Sequence, residues 1–159
     1  MLMITDMQKK TILCFLFPVL FFLTTCGREE MRQTIPFAHV NFQIDVSTGG
    51  QDHALRNPLA YKTFKERRLQ TDRVGLGGLL IVSSIDGNQL FAFDLACPCS
   101  GNPNVTVTPN SDGEAFCASC NSVFITSFGL GTVRSGNAPA HLQRYRVFQQ
   151  REGVFVVRN

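Results

Sequence analysis

Two closely spaced pairs of cysteines place the strongest constraint on how this chain can fold. Cys97 and Cys99 are separated by a single proline, and Cys117 and Cys120 follow after a spacer of seventeen residues. Tetrahedral metal sites and iron–sulfur clusters are built in this way, with each loop supplying two sulfur ligands. The spacing therefore predicts that two loops, a hairpin apart, bring four sulfur atoms to one place.

The first part of the chain, residues 1–26, has the organisation of a secretory signal. Two lysines precede an apolar run over 11–23, and Cys26 follows shortly after that run. The residues around Cys26 resemble a bacterial lipobox, although Thr25 stands where a smaller residue is usual. The resemblance implies that Cys26 is acylated and becomes the first mature residue. The alternative is an ordinary cleaved signal with an unmodified cysteine.

The remaining chain is long enough for one domain with a modest core. Residues 27–38 are polar and are interpreted as a tether, which leaves 39–159 as the folded part. The formal net charge is only +3, so nothing indicates a nucleic-acid or strongly acidic partner. The richest basic stretch, 62–73, is interpreted as a solvated face rather than a binding patch.

Short strands separated by turn residues dominate this domain. Apolar residues alternate over 40–46, which predicts a strand with one buried face. Asp86-Gly87 between the apolar runs 79–85 and 89–94 predicts a tight hairpin, whereas 51–73 is expected to be irregular with a helical turn around His53–Leu55. Further strands are predicted at 105–107, 115–116, 122–125, 132–134, 144–148 and 154–157. The pattern is typical of a small all-β antiparallel sandwich or barrel.

Six phenylalanines occupy alternating positions in these predicted strands. We expect them to fill the core rather than to stack on a ligand. They are Phe42, Phe91, Phe93, Phe124, Phe148 and Phe155.

With the strands placed, both cysteine pairs fall on turns, and the chain resembles a Rieske iron–sulfur domain over about 74–158. That family carries Cys-x-His-x-Gly, a spacer of similar length, and then Cys-x-x-His with a Gly-Ser-x-Phe tail. The matching residues are Cys97, Gly101, Cys117, Ser122 and Phe124, followed by a proline-containing loop over 135–139 and by Leu142, Tyr145 and Val147 of the closing strand. The resemblance implies a Rieske-like all-β fold and a 2Fe–2S cluster for electron transfer.

Three departures bear on the ligand set. Both family histidines are replaced by cysteine, at Cys99 and Cys120, and Asn121 replaces a glycine. The asparagine is tolerable because Asn also adopts left-handed backbone conformations. The resemblance then implies a cluster held by Cys97, Cys99, Cys117 and Cys120, which would carry more negative charge than the two-histidine form and have a lower potential.

The four cysteines admit two other interpretations. Zinc bound by four thiolates would be a closed structural site. Disulfides between the two loops, with no metal, would make the domain a structural or interaction module, since exported proteins form such bonds. His39, His53 and His141 have no short spacing to a cysteine and are not expected to be ligands. We find no catalytic residue or substrate motif, so enzymatic activity is uncertain and not favoured.

These features predict a lipoprotein of the bacterial cell envelope. The lipid on Cys26 would anchor it to a membrane on the periplasmic or the surface side. The redox partner and the oligomeric state are not identified by the sequence, and no nucleic-acid partner is expected.

Overall fold

The computed structural model describes residues 34–159. The predicted signal and lipid-bearing Cys26, and the first residues of the predicted tether, lie outside the described residues. The strands are β1 (Val40–Asp45), β2 (Tyr61–Phe64), β3 (Arg73–Val74), β4 (Leu79–Ser83), β5 (Leu90–Asp94), β6 (Thr108–Pro109), β7 (Glu114–Cys117), β8 (Ser122–Ile125), β9 (Thr132–Ser135), β10 (Arg144–Arg151) and β11 (Val154–Arg158). A short 3-10 turn spans His53–Arg56. Within 34–159 we find no helix of a length and apolarity that could span a membrane.

The strands form two antiparallel sheets, which confirms the all-β prediction. The larger sheet has the order β2-β4-β5-β10-β11-β1-β3, and the smaller has the order β6-β7-β8-β9. Phe42 of β1 and Phe64 of β2 lie near opposite edges of the larger sheet, yet their ring centroids are only 4.7 Å apart. The larger sheet therefore curls back on itself towards a barrel.

Two apolar clusters share β4, whose residues are all buried. Leu79 and Ile81 point into the curled sheet, where they join Phe42, Ile44, Leu55, Phe64, Ala92, Tyr145 and Val157. Leu80 and Val82 point to the other face and pack against the smaller sheet with Phe93, Leu95, Val107, Ala115, Phe124 and Leu142. The second cluster also contains Cys97 and Cys117, so the cysteine site is built on the contact between the two sheets.

Several elements follow the sequence predictions closely. β4 and β5 pair as a hairpin in which Ser83 lies opposite Leu90, and Gly87 in its turn has a φ of +73°. The helical turn forms at His53–Arg56. β8 has the predicted bounds, Ser122–Ile125.

Three local predictions were wrong. β2 lies inside the stretch expected to be irregular, because only Phe64 of its four residues is buried and no alternation marks it. The strand expected at 105–107 is reduced to a bridge between Ala96 and Thr106, with β6 following it. Phe148 is 49% exposed because it lies on the outward face of β10.

A buried carboxylate ties the basic stretch to the end of the curled sheet. The Asp52 side chain is fully buried and accepts hydrogen bonds from Lys62 Nζ at 2.8 Å, from the Arg68 guanidinium, and from Asp45 N at 3.1 Å. Arg68 also stacks over Phe64, 4.5 Å from the ring centroid. Lys62 and Arg68, which were expected on a solvated face, thus belong to this network.

The Asp52 network should make folding stability depend on pH in the acid range. Burial opposes ionisation of Asp52, but the hydrogen bonds from Arg68, Lys62 and Asp45 N together lower its pKa below the ordinary 3.8. A carboxyl whose pKa is lowered by folding stabilises the protein above its unfolded pKa, and that contribution is lost as pH falls through the folded value. We therefore expect the free energy of unfolding to decrease as pH drops below about 4.

Asp52→Asn should make the free energy of unfolding less dependent on pH in this acid range. It should also lower that free energy by about 2–3 kcal/mol at pH 7, because Arg68 loses its charged partner. Urea unfolding between pH 2 and pH 7 measures both effects. Asp112→Asn, in the exposed loop between β6 and β7, is the control for loss of one carboxyl. An Asp52→Asn profile parallel to that of the wild type would contradict the assignment.

Candidate metal centre

Two turns bring the four cysteine sulfurs together. Cys97 and Cys99 lie in the loop after β5, Cys117 is the last residue of β7, and Cys120 lies in the turn between β7 and β8. Their four Sγ atoms all lie within 4.8 Å of one another. The predicted convergence of the two loops is thus present, and the group has the donor set of a soft-metal site.

The first loop is shaped by hydrogen bonds around Cys97. Its N–H donates to Val105 O at 2.8 Å, and its carbonyl accepts from Ser100 N and Gly101 N at 3.3 and 3.2 Å. The chain therefore turns tightly over Cys99, and Gly101 completes the turn with a φ of +60°, a conformation that favours glycine. Pro36, which precedes β1, lies directly against this glycine.

The second loop is the turn between β7 and β8. Asn121 has a φ of +54°, so it adopts the left-handed conformation expected from its position in the motif. Ser122 Oγ lies 3.2 Å from Cys120 Sγ and accepts a hydrogen bond from Ala138 N at 2.9 Å. Gly136 approaches so closely that a Cβ there would meet Asn121 O at 2.6 Å. The proline-containing loop is thereby held against the turn that carries Cys120.

The four thiols differ in burial. Cys97 and Cys117 are buried, whereas Cys99 and Cys120 are half-buried. The sulfurs of Cys97 and Cys120 are 3.7 Å apart, a thiol hydrogen-bond contact between the two loops. The site therefore has an inner pair and an outer pair, with one cysteine of each pair on each loop.

Burial raises the pKa of Cys97, and it raises the pKa of Cys99 as well. Burial also opposes ionisation of Cys120, but hydrogen bonds with Ser122 and with the thiols of Cys99 and Cys117 together outweigh it and lower the pKa of Cys120 to about 7. Since the thiolate is the form that binds metal, the Cys120 sulfur is prepared for ligation by its neighbours.

A buried aspartate that the sequence analysis did not identify fixes the base of the first loop. The Asp94 carboxylate is fully buried and accepts four hydrogen bonds: Oδ1 from Ala96 N (2.7 Å) and Gly77 N (2.9 Å), and Oδ2 from Leu76 N (2.7 Å) and Tyr145 Oη (2.7 Å). Burial and the adjacent carboxylate raise the pKa of Tyr145, which keeps its hydroxyl a donor. Ala96 directly precedes Cys97, so the network reaches the first ligand position.

The glycine-rich loop over 74–78 was the available sequence signal for this network. A Cβ on Gly77 would meet Ala96 N at 2.6 Å, and a Cβ on Gly75 would meet Tyr145 Oη at 2.8 Å. Only glycine lets that loop come close enough for its amides to reach Asp94. The sequence could not show which carboxylate the loop approaches.

The three histidines take no part in the sulfur group. Among the residues that the structure describes, the clustered metal-ligating side chains are the four cysteines alone. His141, the histidine nearest in sequence to the proline-containing loop, accepts a hydrogen bond from Val133 N at 3.3 Å through Nδ1. His39 packs edge-on against Phe37 at 4.9 Å between ring centroids.

Comparison with known proteins found no matching family model and no matching curated protein. A chain from the solved structure "Complex of reduced oxygenase and oxidized ferredoxin in carbazole 1,9a-dioxygenase" is similar at 14% sequence identity and a TM-score of 0.47, covering 75% of this chain and 93% of that chain. A likeness this low carries no argument about function. The candidate centre therefore rests on the positions of the four cysteines.

The sulfur group fits a four-thiolate centre by donor type. Bonds of about 2.3 Å from one tetrahedral zinc would place neighbouring sulfurs about 3.8 Å apart, and the 3.7 Å between Cys97 and Cys120 is close to that value. A cluster with two irons would need the inner and outer pairs to move further apart. Cys99 and Cys120, half-buried on turns, are the pair nearer to the solvent.

Asp94→Asn should weaken the site through the base of the first loop. The asparagine amide would place an NH2 donor where one oxygen of Asp94 now accepts, so a buried backbone N–H would lose its partner. We expect the free energy of unfolding, measured with urea, to fall by about 2–3 kcal/mol. Loss of such an outer contact should also weaken zinc binding about tenfold or more in a competition titration with a chromophoric chelator.

Tyr145→Phe is the matched comparison, because it removes one donor and leaves the three amides on Asp94. It should cost about 1 kcal/mol and change zinc affinity less. Equal effects of the two substitutions on zinc affinity would show that Asp94 does not position the loop.

Proposed function

We propose that this protein is a Rieske-like electron-transfer protein that holds a 2Fe–2S cluster through Cys97, Cys99, Cys117 and Cys120. The observation that carries the proposal is the meeting of four sulfurs, two from each of two loops, within 4.8 Å. When bound, the cluster would supply reversible one-electron chemistry. The function of the chain is then to hold the group, shield one side of it and leave the other side open to a partner.

The inner and outer pairs support this proposal. Cys97 and Cys117 belong to the apolar cluster between the two sheets, whereas Cys99 and Cys120 are half-buried at the surface. In the sequence resemblance, Cys99 and Cys120 stand at the two positions that are histidine in the Rieske family. One ligand pair would thus be enclosed by the core, and the other would lie where a redox partner could approach.

Zinc is the second candidate, and the sulfur spacing favours it. The 3.7 Å between Cys97 and Cys120 is close to the spacing of ligands around a single tetrahedral ion. Four thiolates would leave no open position on zinc, so such a site would stabilise the two loops and catalyse nothing.

The protein is further proposed to act at the bacterial cell envelope, held to a membrane by lipid on Cys26. The support is the apolar run over 11–23 and the lipobox-like residues that follow it. The lipid would keep the folded domain close to membrane-bound partners.

Analysis of metal content separates the candidates. We expect full-length protein purified without oxygen to be brown and to contain about two irons and two acid-labile sulfides per chain. One zinc per chain in colourless protein would support the structural site instead. Protein with neither metal and no free thiols would replace both proposals with a disulfide-linked module, and the contact between Cys97 and Cys120 makes that pair the first to test.

Cys120→Ser should abolish the visible absorption, because the cluster loses a thiolate ligand. Ser119→Ala is the matched control, since Ser119 lies in the same turn and is exposed. Retention of the full iron content in Cys120→Ser would exclude Cys120 as a required ligand.

The ligand set also predicts the redox potential. Four thiolates give the oxidised cluster two more negative charges than the two-histidine form, so the potential should lie towards the plant-ferredoxin value of about −400 mV and should not vary with pH between 6 and 9. Replacing both outer cysteines, Cys99→His with Cys120→His, should raise it into the Rieske range of roughly −150 to +300 mV and make it pH-dependent. Protein-film voltammetry measures both; an unchanged potential in the double variant would contradict the assigned outer ligands.

A further inference from the structure

A row of arginines crosses the outer face of the larger sheet. Arg146 of β10 lies directly opposite Arg158 of β11, Arg158 lies opposite Asn41 of β1, and Asn41 lies opposite Arg73 of β3. Residues directly opposite one another in antiparallel strands point to the same face. We call Arg73, Arg146 and Arg158 the arginine row; it spans three strand spacings, about 15 Å.

The arginine row opposes folding rather than supporting it. Like charges directly opposite one another on a sheet are destabilising, and Arg146 faces Arg158 in this way. Among the described residues, no carboxylate forms a salt bridge with any arginine of the row. Within 34–159, Arg73 is the one member of the row whose side chain donates a hydrogen bond, from Nη1 to the carbonyls of Gln70 and Asp72, and a carbonyl leaves its charge uncompensated. All three arginines are exposed.

Further cations and exposed apolar side chains lie beside the row. Arg73 lines a surface groove together with His39, Lys65 and Arg67, and Glu66 is the one acidic residue among the described residues that line it. Leu69, in the loop between β2 and β3, is 61% exposed. Phe37 is likewise 61% exposed, and its ring contacts that of His39. Cations interspersed with protruding apolar groups are typical of surfaces that rest on lipid headgroups.

The chain begins its first strand at the edge of this surface. Asn159 Oδ1 accepts a hydrogen bond from Val40 N at 2.7 Å, and Asn159 Nδ2 donates to Ala38 O at 3.1 Å, so residues 38–40 are fixed next to Arg158. Residues before Ala38 are also held on the domain, since Thr34 N donates to Gln143 Oε1 at 2.9 Å and Ile35 is buried. The segment from Cys26 to Thr34 reaches about 27 Å when fully extended. A lipid on Cys26 would therefore keep the domain close to the membrane, and the charges on its surface would decide which side faces the lipid.

We propose that the outer face formed by the arginine row and the adjacent groove docks on an anionic phospholipid surface. The proposal rests on the lipid anchor proposed above and does not depend on the metal. The anchor would supply the attachment, and the basic face would set the orientation of the domain on the membrane.

Residue-specific chemical labelling tests the orientation. Full-length lipidated protein is reconstituted into vesicles of phosphatidylcholine alone, or with one third phosphatidylglycerol, and treated with phenylglyoxal, which modifies exposed guanidinium groups. We expect Arg73, Arg146 and Arg158 to react about fivefold more slowly on the anionic vesicles, as one contact with a charged lipid surface would give. Arg56, exposed in the 3-10 turn outside the row, should react equally on both. The protection should disappear in 1 M salt, where charge interactions are screened.

Equal labelling of the arginine row on the two vesicles would overturn the proposal, whereas the lipid anchor would stand if flotation still showed the protein on both. Failure to float with neutral vesicles would instead contradict the anchor. In that case, the basic face would still be supported as a lipid-binding surface if the protein floated only with anionic vesicles, if salt abolished that flotation, and if the arginine row was protected there. Protection that appeared only when native membrane proteins were included would overturn the lipid assignment in favour of an acidic protein.

Arg146→Gln combined with Arg158→Gln should remove the protection of Arg73 on anionic vesicles. The double variant should unfold at the same or a higher urea concentration than the wild type, because it relieves the charge repulsion. Arg56→Gln with Arg134→Gln removes the same charge from outside the row and should leave the protection unchanged. Arg134 is paired with Glu114 on the smaller sheet, an exposed ion pair that adds little stability. If Arg73 stayed protected when Arg146 and Arg158 were both replaced by Gln, the arginine row would not be the surface that binds the lipid.

Discussion

The cysteine site depends on a buried carboxylate that holds three segments together. Asp94 accepts hydrogen bonds from the glycine-rich loop, from Tyr145 on β10 and from the amide directly before Cys97. A buried charge is tolerated only when donors replace the lost water, and four donors do so here. Removing one segment would leave the carboxylate short of partners, so β10, the glycine-rich loop and the first cysteine loop are fixed together.

The two sheets have different roles in the domain. The curled larger sheet supplies most of the core, and its outward side near β4 and β5 packs against the smaller sheet that carries Cys117 and Cys120. This arrangement encloses Cys97 and Cys117 while Cys99 and Cys120 stay half-buried. A four-thiolate group in this position would be rigid on its inner side and accessible on its outer side. With a cluster this arrangement would suit the transfer of single electrons, and with zinc it would stabilise the two loops.

Two groups of charged residues use charge in different ways. Asp52 is fully buried and pairs with both Lys62 and Arg68, so its negative charge is compensated at the end of the curled sheet. Arg73, Arg146 and Arg158 stand in an exposed row without carboxylate partners among the described residues. The first arrangement stabilises the fold, whereas the second costs stability and is available to an anionic surface.

The sequence alone determined the all-β class, the β4–β5 hairpin and the convergence of the two cysteine pairs, because alternation, turn residues and ligand spacing are local patterns. Asn121 has the left-handed conformation that made it tolerable in place of the glycine of the Rieske motif. Local patterns did not show β2, whose pairing with β4 is long-range. They also did not show the roles of Asp94 and Asp52, whose partners come from several segments that only the fold brings together. The arginine row was likewise decided only by the tertiary structure, since strand register alone places Arg73, Arg146 and Arg158 side by side.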